Sequence, residues 1–358
     1  MKTRRRNYDK DRLSDLPDCL LLQILSHLNI MQAVQISILS TRWKNLWKHI
    51  SVLSINYSHS FQTLESFTNF VYQFLSHRNG KTCLQALNFD CDEYIESRLL
   101  KRIMNYVFSH NVQRLDITVA CNIEPFPLCS FPYHTLTSLR LFSCREFSCS
   151  NPSFPNSLKL LPALTYLCIE FFTFRDDYYA EPFSVFKSLN TLLIQFCDVF
   201  NENNFLHISS VSLVNLTIAL PSHAYKFKLS TPNLSTFDFL GDPLQNLCGS
   251  TNNNCCNFSF VKHAKIALPV TGVENFPSIL FNWLVELALV ESLTISPRAL
   301  EILNLIPESW KIDFPYLHNL KLLKIESYYP TPIPNGTWEF LLQNAPSAKK
   351  VRVIKRTT

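Results

Sequence analysis

From Leu84 to Val353, apolar residues keep returning at positions 1, 4 and 6 of a unit that restarts every 21 to 30 residues. The regular copies are Leu84-Leu87-Phe89, Val112-Leu115-Ile117, Leu136-Leu139-Leu141, Leu164-Leu167-Ile169, Leu189-Leu192-Ile194, Leu213-Leu216-Ile218 and Leu234-Phe237-Phe239. Looser copies follow at Val261-Ala264-Ile266, Val290-Leu293-Ile295, Leu320-Leu323-Ile325 and Ala348-Val351-Val353. The tenth is ambiguous, since Leu317-Leu320-Leu322 fits the spacing as well. Positions 4 and 6 share one face of a strand because side chains alternate. A strand plus a return cannot bury that face alone, so such units stack into a parallel sheet. The pattern predicts about eleven strands in residues 84–358. Pro162, Pro232 and Pro346 each precede a first position by two residues, where a helical turn must stop.

The chain before residue 84 follows another plan. Leu20, Leu21, Ile24, Leu25 and Leu28 step at helical spacing after a Leu16-Pro17 lead-in. Asn29 followed by Gln32 reads as the N-terminus of a second helix carrying Met31, Val34 and Ile38. Ser40 caps a third, with Trp43, Leu46, Trp47 and Ile50 at i, i+3, i+4 and i+7. Three helices in so few residues hold too little core for this much apolar surface, part of which is expected to meet a partner. Val52 to Ile55 alternates like a first strand, and Phe61 to Leu75 returns to helical spacing, making 51–83 a connecting and capping segment. Residues 1–11 read as a flexible basic tail. Asp242 to Asn257 reads as a polar insertion, and Tyr328 to Thr337 as a proline-rich connection before a last helix at Trp338 to Asn344.

Residues 12–50 resemble an F-box: Leu16-Pro17, Ile24-Leu25, Ala33-Val34, then Leu39-Ser40-x-Arg42-Trp43-x-x-Leu46-Trp47. The Arg-Trp-x-x-Leu-Trp ending is similar to plant F-box proteins that carry leucine-rich repeats. Position 9 of two copies is cysteine, Cys144 and Cys197, as in the L-x-x-L-x-L-x-x-C form of that repeat. The fold expected is therefore α/β, a small three-helix F-box followed by a leucine-rich-repeat solenoid, a parallel-strand horseshoe. The resemblance implies that the F-box binds a Skp-type adaptor and through it a cullin ubiquitin ligase, while the repeats choose a protein substrate. Candidate adaptor contacts are Leu16, Pro17, Leu20, Ile24, Leu25, Leu28, Val34, Trp43 and Trp47, the two tryptophans reading equally well as core. Related plant proteins often continue into a further domain, and none is expected here after the last strand.

Composition narrows the function classes. Hydrophobic residues make up 47% and charged ones 17%, enough for a sizeable core. The net charge of +5 is too diffuse to favour nucleic acid. No uncharged apolar window reaches the roughly 18 residues a membrane span needs, and no apolar signal region follows the basic start. The twelve cysteines then read as reduced thiols of an intracellular protein, in the nucleus or cytoplasm. With five glycines no phosphate loop or dinucleotide fingerprint can be written, and no G-x-S-x-G or H-E-x-x-H occurs. Cys255-Cys256 and His263 lack zinc-site spacing. No cofactor, no metal and no enzymatic activity of its own are expected.

Substrate contacts are expected on positions 3, 5 and 7, which face away from the core. Arg140, Tyr166, His263, Lys265, Lys324 and Arg352 are the candidates. Acids gather toward the early strands and bases toward the late ones, which suggests an acidic ligand at the C-terminal strands. The alternatives are a repeat scaffold that drives no degradation, or a nucleic-acid or small-ligand binder.

Overall fold

The computed structural model describes residues 15–354 apart from 58–60, 79–82, 121–134, 144–150, 156–157, 159, 176–180, 201–204, 221–224, 244, 246, 248–257, 270–276, 313 and 328–334. The basic tail, Cys144, most of the polar insertion and most of the proline-rich connection lie outside the described residues. The chain divides into two compact units, residues 1–136 and 137–358.

In the first unit, α1 (Asp18–Ser26) starts on Pro17, whose carbonyl accepts from the N–H groups of Leu20 and Leu21. Leu21 and Leu25, one turn apart, point inward. α2 (Ile30–Ile36) begins as its sequence predicts: Asn29 Oδ1 accepts from Gln32 N–H at 2.9 Å and Gln32 Oε1 from Asn29 N–H at 3.3 Å. The third segment, Trp43–His49, differs from expectation in being a 3-10 helix. Its three-residue turn lines up Trp43 and Leu46, and both are buried with Trp47. Trp47 packs on Phe74 with ring centroids 5.2 Å apart, so the second tryptophan belongs to the joint with α3 (Leu64–His77).

β1 (Val52–Asn56), β2 (Ala86–Cys91) and β3 (Arg114–Val119) pair in parallel, with Leu53, Leu87 and Leu115 in one row and Ile55, Phe89 and Ile117 in the next. The repeat ladder thus starts one strand before Leu84. α4 (Ser97–Ser109) buries Leu99, Leu100, Ile103, Met104 and Val107, a helix the 1-4-6 pattern does not announce.

Among the described residues, the second unit contributes nine parallel strands in the order β4 (Ser138–Ser143), β5 (Tyr166–Glu170), β7 (Thr191–Gln195), β10 (Asn215–Ala219), β12 (Thr236–Leu240), β13 (His263–Ala267), β14 (Ser292–Ile295), β15 (Leu322–Ser327) and β16 (Lys349–Ile354). Leu139, Leu167, Leu192, Leu216, Phe237, Ala264, Leu293 and Leu323 form one register row, all buried. This resolves the tenth copy as Leu320-Leu323-Ile325. Strand after strand is entered by one turn, in which the first-position N–H donates to the carbonyl three residues back: Leu164 to Leu161, Leu234 to Thr231, Ala348 to Ala345. Pro162, Pro232 and Pro346 hold the second place of that turn, for which their fixed φ is suited.

The returns are more varied than the pattern suggests. β6 (Thr173–Arg175) pairs with β8 (Asp198–Phe200), and β9 (Phe205–Ser209) with β11 (Lys226–Ser230), as short parallel ribbons. Later returns use α5 (Pro277–Glu286), α6 (Pro297–Leu303), α7 (Glu308–Ile312) and α8 (Asn335–Gln343). From α5, Trp283 is fully buried with its ring 4.6 Å from that of Phe239, and its N–H donates to the Gln245 carbonyl at 2.7 Å.

The last strand departs from its predicted register. Leu323 pairs with Lys350 and Ile325 with Arg352, so Val351 and Val353 share a face with Lys324 and Glu326 instead of continuing the core rows. A slip of one residue exchanges the two faces of a strand, and register is weakly specified where neither face is fully buried. No side chain of β16 is buried. The Lys350 ammonium lies 4.6 Å from the centroid of the buried Trp338 ring, a contact that favours the observed register.

Candidate functional site

The structure sorts the apolar residues of the N-terminal segment by exposure. Leu25, Trp43 and Trp47 are buried; Leu16, Leu28 and Val34 are half-buried; Pro17, Leu20 and Ile24 are exposed. Leu20 and Ile24 stand one turn apart on α1, beside the stripe that carries Leu21 and Leu25 inward. Just past α2, Ile38 and Leu39 are 84% and 74% exposed, more open than Leu20 at 43% or Ile24 at 39%. The sequence reading carries Ile38 on the second helix; the helix ends at Ile36, two residues before it.

Arg42 holds the lead-in. Its Nη2 is 2.8 Å from Asp18 Oδ1 and also donates to the Leu16 carbonyl, tying the extended Leu16-Pro17 pair to the first turn of α1. The sequence motif includes this arginine but gives no sign that its role is to fix the backbone of Leu16.

On the repeat sheet of the second unit, the candidate substrate residues fall into distinct neighbourhoods. Tyr166 pairs with Ser138, and Arg140 with Cys168, on adjacent strands. Beside them stand three half-buried phenylalanines. Phe142 meets Phe171 edge-on with centroids 5.5 Å apart, and Phe171 stacks on Phe196 at 5.5 Å. Phe171 and Phe196 have φ of 59° and 50°. A bulky side chain rarely adopts the left-handed region, and such strain, about 1–3 kcal/mol each, gathers at functional sites. Burial holds the nearby Glu170 carboxyl above its ordinary range, with Arg140 pulling the other way.

The late strands carry less free charge than their sequence suggests. Lys265 Nζ lies 2.9 Å and Lys324 Nζ 3.4 Å from the two oxygens of Glu326, whose side chain is 7% exposed. His263 is exposed two residues earlier on β13. Arg352, through the shifted register, lies on the face of Ile325, opposite to Lys324. Lys265 and Lys324 are thus joined in one cluster, while Arg352 is not brought to it.

Cys197 is the position-9 thiol that falls within the described residues. It is fully buried and its Sγ donates to the Gln195 carbonyl at 3.4 Å, while burial pushes its pKa up to about 12. Burial likewise raises Cys91 to about 11. A thiol held neutral in this way is neither nucleophile nor metal ligand. Alkylation of the native protein at pH 8 is expected to label the exposed Cys19 and Cys83 and to reach Cys91, Cys168 and Cys197 only after denaturation, as read by peptide mass mapping. Among the described residues no group of His, Cys, Asp or Glu is arranged to hold a metal ion, and no helix is long and apolar enough to cross a membrane.

A Glu-His-Ser chain occurs in the returns, with His207 Nδ1 3.0 Å from Glu181 Oε1 and Nε2 2.8 Å from Ser230 Oγ. Burial holds this imidazole below its ordinary pKa, opposed by Glu181. The chain pins β9 and β11 to the segment at Glu181.

Comparison with known proteins gives the N-terminal segment its identity. The F-box domain family matches residues 13–54. These residues are an F-box. F-box/LRR-repeat protein 13 of Arabidopsis thaliana is 32% identical over 218 residues, covering 58% of this chain and 46% of that protein. The Arabidopsis F-box/FBD/LRR-repeat protein At1g78750 is 25% identical over 96% of this chain and 77% of its own length, and FBD-associated F-box protein At1g66310 is 26% identical over 96% and 76%. The chain thus spans less than half of the first relative and about three quarters of the other two. Among solved structures, an internalin (inlF) from Listeria monocytogenes aligns over 85% of this chain and 86% of its own at 12% identity, with a TM-score of 0.36. With parallel repeat strands behind the F-box, the chain has the make-up of a plant F-box protein with leucine-rich repeats.

Proposed function

We propose that the chain is the substrate-recognition subunit of a Skp-cullin-F-box ubiquitin ligase. The F-box would dock on a Skp-type adaptor, and through it on a cullin, while the repeats bind a target protein. The reading is carried by the pairing of an F-box with a surface of exposed Pro17, Leu20, Ile24, Ile38 and Leu39, which a chain acting alone would have little reason to leave open. Such a subunit performs no bond chemistry. It raises the effective concentration of acceptor lysines beside the charged conjugating enzyme. The test is co-purification of the full chain with a recombinant Skp-type adaptor and cullin. Leu16→Ala with Pro17→Ala is expected to remove the adaptor and leave the thermal unfolding of the repeats unchanged. Retention of the adaptor by that double variant would move the contact elsewhere. Adaptor without cullin in the wild-type complex would favour a non-degradative scaffold.

For the target, the phenylalanine shelf with Arg140 and Tyr166 is the better site than the late lysines. Aromatic and arginine side chains supply most binding hot spots, whereas Lys265 and Lys324 already share Glu326. Phe171→Asn with Phe196→Asn retains residues that tolerate left-handed backbone while deleting both rings. It is expected to leave the melting temperature within a few degrees and to deplete specific proteins from affinity capture under proteasome inhibition. An unchanged capture profile would count against the shelf.

A further inference from the structure

Where the strands of the second unit end, position 7 carries small residues on three of them: Ala219 on β10, Ala267 on β13 and Ser296 just after β14. These leave a cavity of about 530 Å³ between the sheet face and α6. Its wall is built rather than loose. Ser296 Oγ accepts from both Leu268 N–H at 3.0 Å and Ala299 N–H at 3.3 Å, which fixes the first turn of α6 against the end of β13. Most of the lining is apolar, with Leu240, Ala267, Leu268 and Pro297 prominent.

The charged groups in the wall decide what fits. Lys265 is paired with the nearly inaccessible Glu326 at 2.9 Å, and Arg298 with Glu301 at 3.0 Å. Both lining cations, Lys265 and Arg298, thus already have a carboxylate beside them, although Lys265 shares Glu326 with Lys324, and Asp238 is a further carboxylate in the wall that opposes an anionic guest. An anionic guest that drew Lys265 away from Glu326 would leave that carboxylate, 7% exposed, less compensated in a poorly solvated place. An uncharged guest needs no such exchange, and it can still hydrogen-bond to Thr217, Gln195 or Ser327 along the wall. Volumes of 300–1,000 Å³ with apolar lining and a few polar groups are those of roughly drug-sized ligand sites. An apolar cavity on the order of 150 Å³ already takes one benzene ring, so this one is larger than a single anchoring side chain requires.

We propose that this cavity is a binding site for an uncharged, largely apolar small molecule of two or three rings. Its lining shares no residue with the exposed F-box surface or the phenylalanine shelf, and the proposal holds whether or not the chain joins a ligase.

The test uses two fluorescent probes that differ by one charge, neutral N-phenyl-1-naphthylamine and its sulfonate, 8-anilino-1-naphthalenesulfonate, titrated into the full chain. The neutral probe is expected to saturate and to bind about tenfold or more tightly than the sulfonate, the penalty for a guest that meets the Asp238 carboxylate and disturbs the pairing of the buried Glu326. Ala267→Trp fills the cavity, and Leu240→Trp does so from a partly exposed position that leaves folding intact; each should weaken the neutral probe by about tenfold. Glu326→Gln replaces the carboxylate that Lys265 and Lys324 share with a neutral amide and should reverse the preference toward the sulfonate. Circular dichroism and thermal unfolding confirm that each variant is folded. Absence of saturable binding by the neutral probe, equal or tighter binding of the sulfonate to the wild-type chain, or neutral binding unmoved by folded Leu240→Trp would each overturn the assignment.

Discussion

Leu20→Asp together with Ile24→Lys is expected to lower the affinity of the full chain for a Skp-type adaptor by about a hundredfold or more while leaving its melting temperature within a few degrees. Both side chains are substantially exposed, Leu20 at 43% and Ile24 at 39%. Complete burial of such a side chain is worth about 1.5–3 kcal/mol, and the two fifths still open on each leaves about 0.6–1.2 kcal/mol apiece to be gained. Each charge stranded in the joint adds a desolvation cost of at least about 1–3 kcal/mol, and together these exceed the roughly 2.7 kcal/mol that a hundredfold represents. The fold is spared because the new charges suit the helix. An acid near the start of α1 and a base near its end agree with the helix dipole, and an Asp-to-Lys pair at i, i+4 adds a few tenths of a kcal/mol. The contrasting pair is Leu21→Ala with Leu25→Ala. These side chains are 0% and 1% exposed, so each substitution costs about 2–5 kcal/mol of stability. Surface plasmon resonance against immobilised adaptor, read beside thermal unfolding, separates the two cases. If the exposed pair binds like the wild type, the α1 surface is not the adaptor contact.

That this pair stands out, and not Trp43 and Trp47, shows what apolar spacing can and cannot convey. Spacing says that a helix has an apolar stripe. It does not say whether the stripe meets its own protein or another. Trp43 and Trp47 sit at the same helical intervals as an interface would, yet Trp47 is closed off by Phe74, nearly thirty residues away in the chain. The repeat strands were easier. Period-2 alternation with one buried face leaves a strand little choice of register, and Leu139 through Leu323 fall in the row that the 1-4-6 pattern implies. β16 is the exception because no face of it is buried, and there the apolar pattern of Val351 and Val353 lost to the contact of Lys350 with Trp338. The returns were illegible for a different reason. Ribbon or helix satisfies the stacking requirement equally, and the choice rests on contacts between repeats, such as Trp283 against Phe239. The phenylalanine shelf and the cavity were hidden likewise. One depends on φ at Phe171 and Phe196, the other on the absence of side chains at Ala219 and Ala267, and neither leaves a motif.

Arg78→Ala is expected to be the most destabilising single change in the first unit outside its apolar core. Arg78 follows the last residue of α3 and is 5% exposed. Its Nη1 donates to Tyr106 Oη and its Nη2 to the Ile50 carbonyl, both at 2.6 Å. One side chain therefore joins the end of the F-box helices to α4, and its guanidinium lies 5.9 Å from the Tyr106 ring. Truncation to alanine strands the carbonyl and the hydroxyl, each costing about 1–3 kcal/mol when left unpaired in the interior. The sum, about 2–6 kcal/mol, is a large part of the stability of a domain this size. The first thermal transition of the full chain should fall by about 10 °C. Arg78→Lys keeps the charge but reaches only one partner, because an ammonium lacks the fork of the guanidinium, so it should fall in between. Arg78→Met with Tyr106→Phe removes both the donor and one stranded acceptor and should recover part of the loss, since deleting both members of a buried hydrogen bond costs less than deleting one. Adaptor binding by the alanine variant at low temperature should match the wild type, because Arg78 lies away from Leu20 and Ile24 in sequence and acts through the folded state. A melting temperature within 2 °C of wild type for Arg78→Ala would show that water satisfies Ile50 and Tyr106 without it.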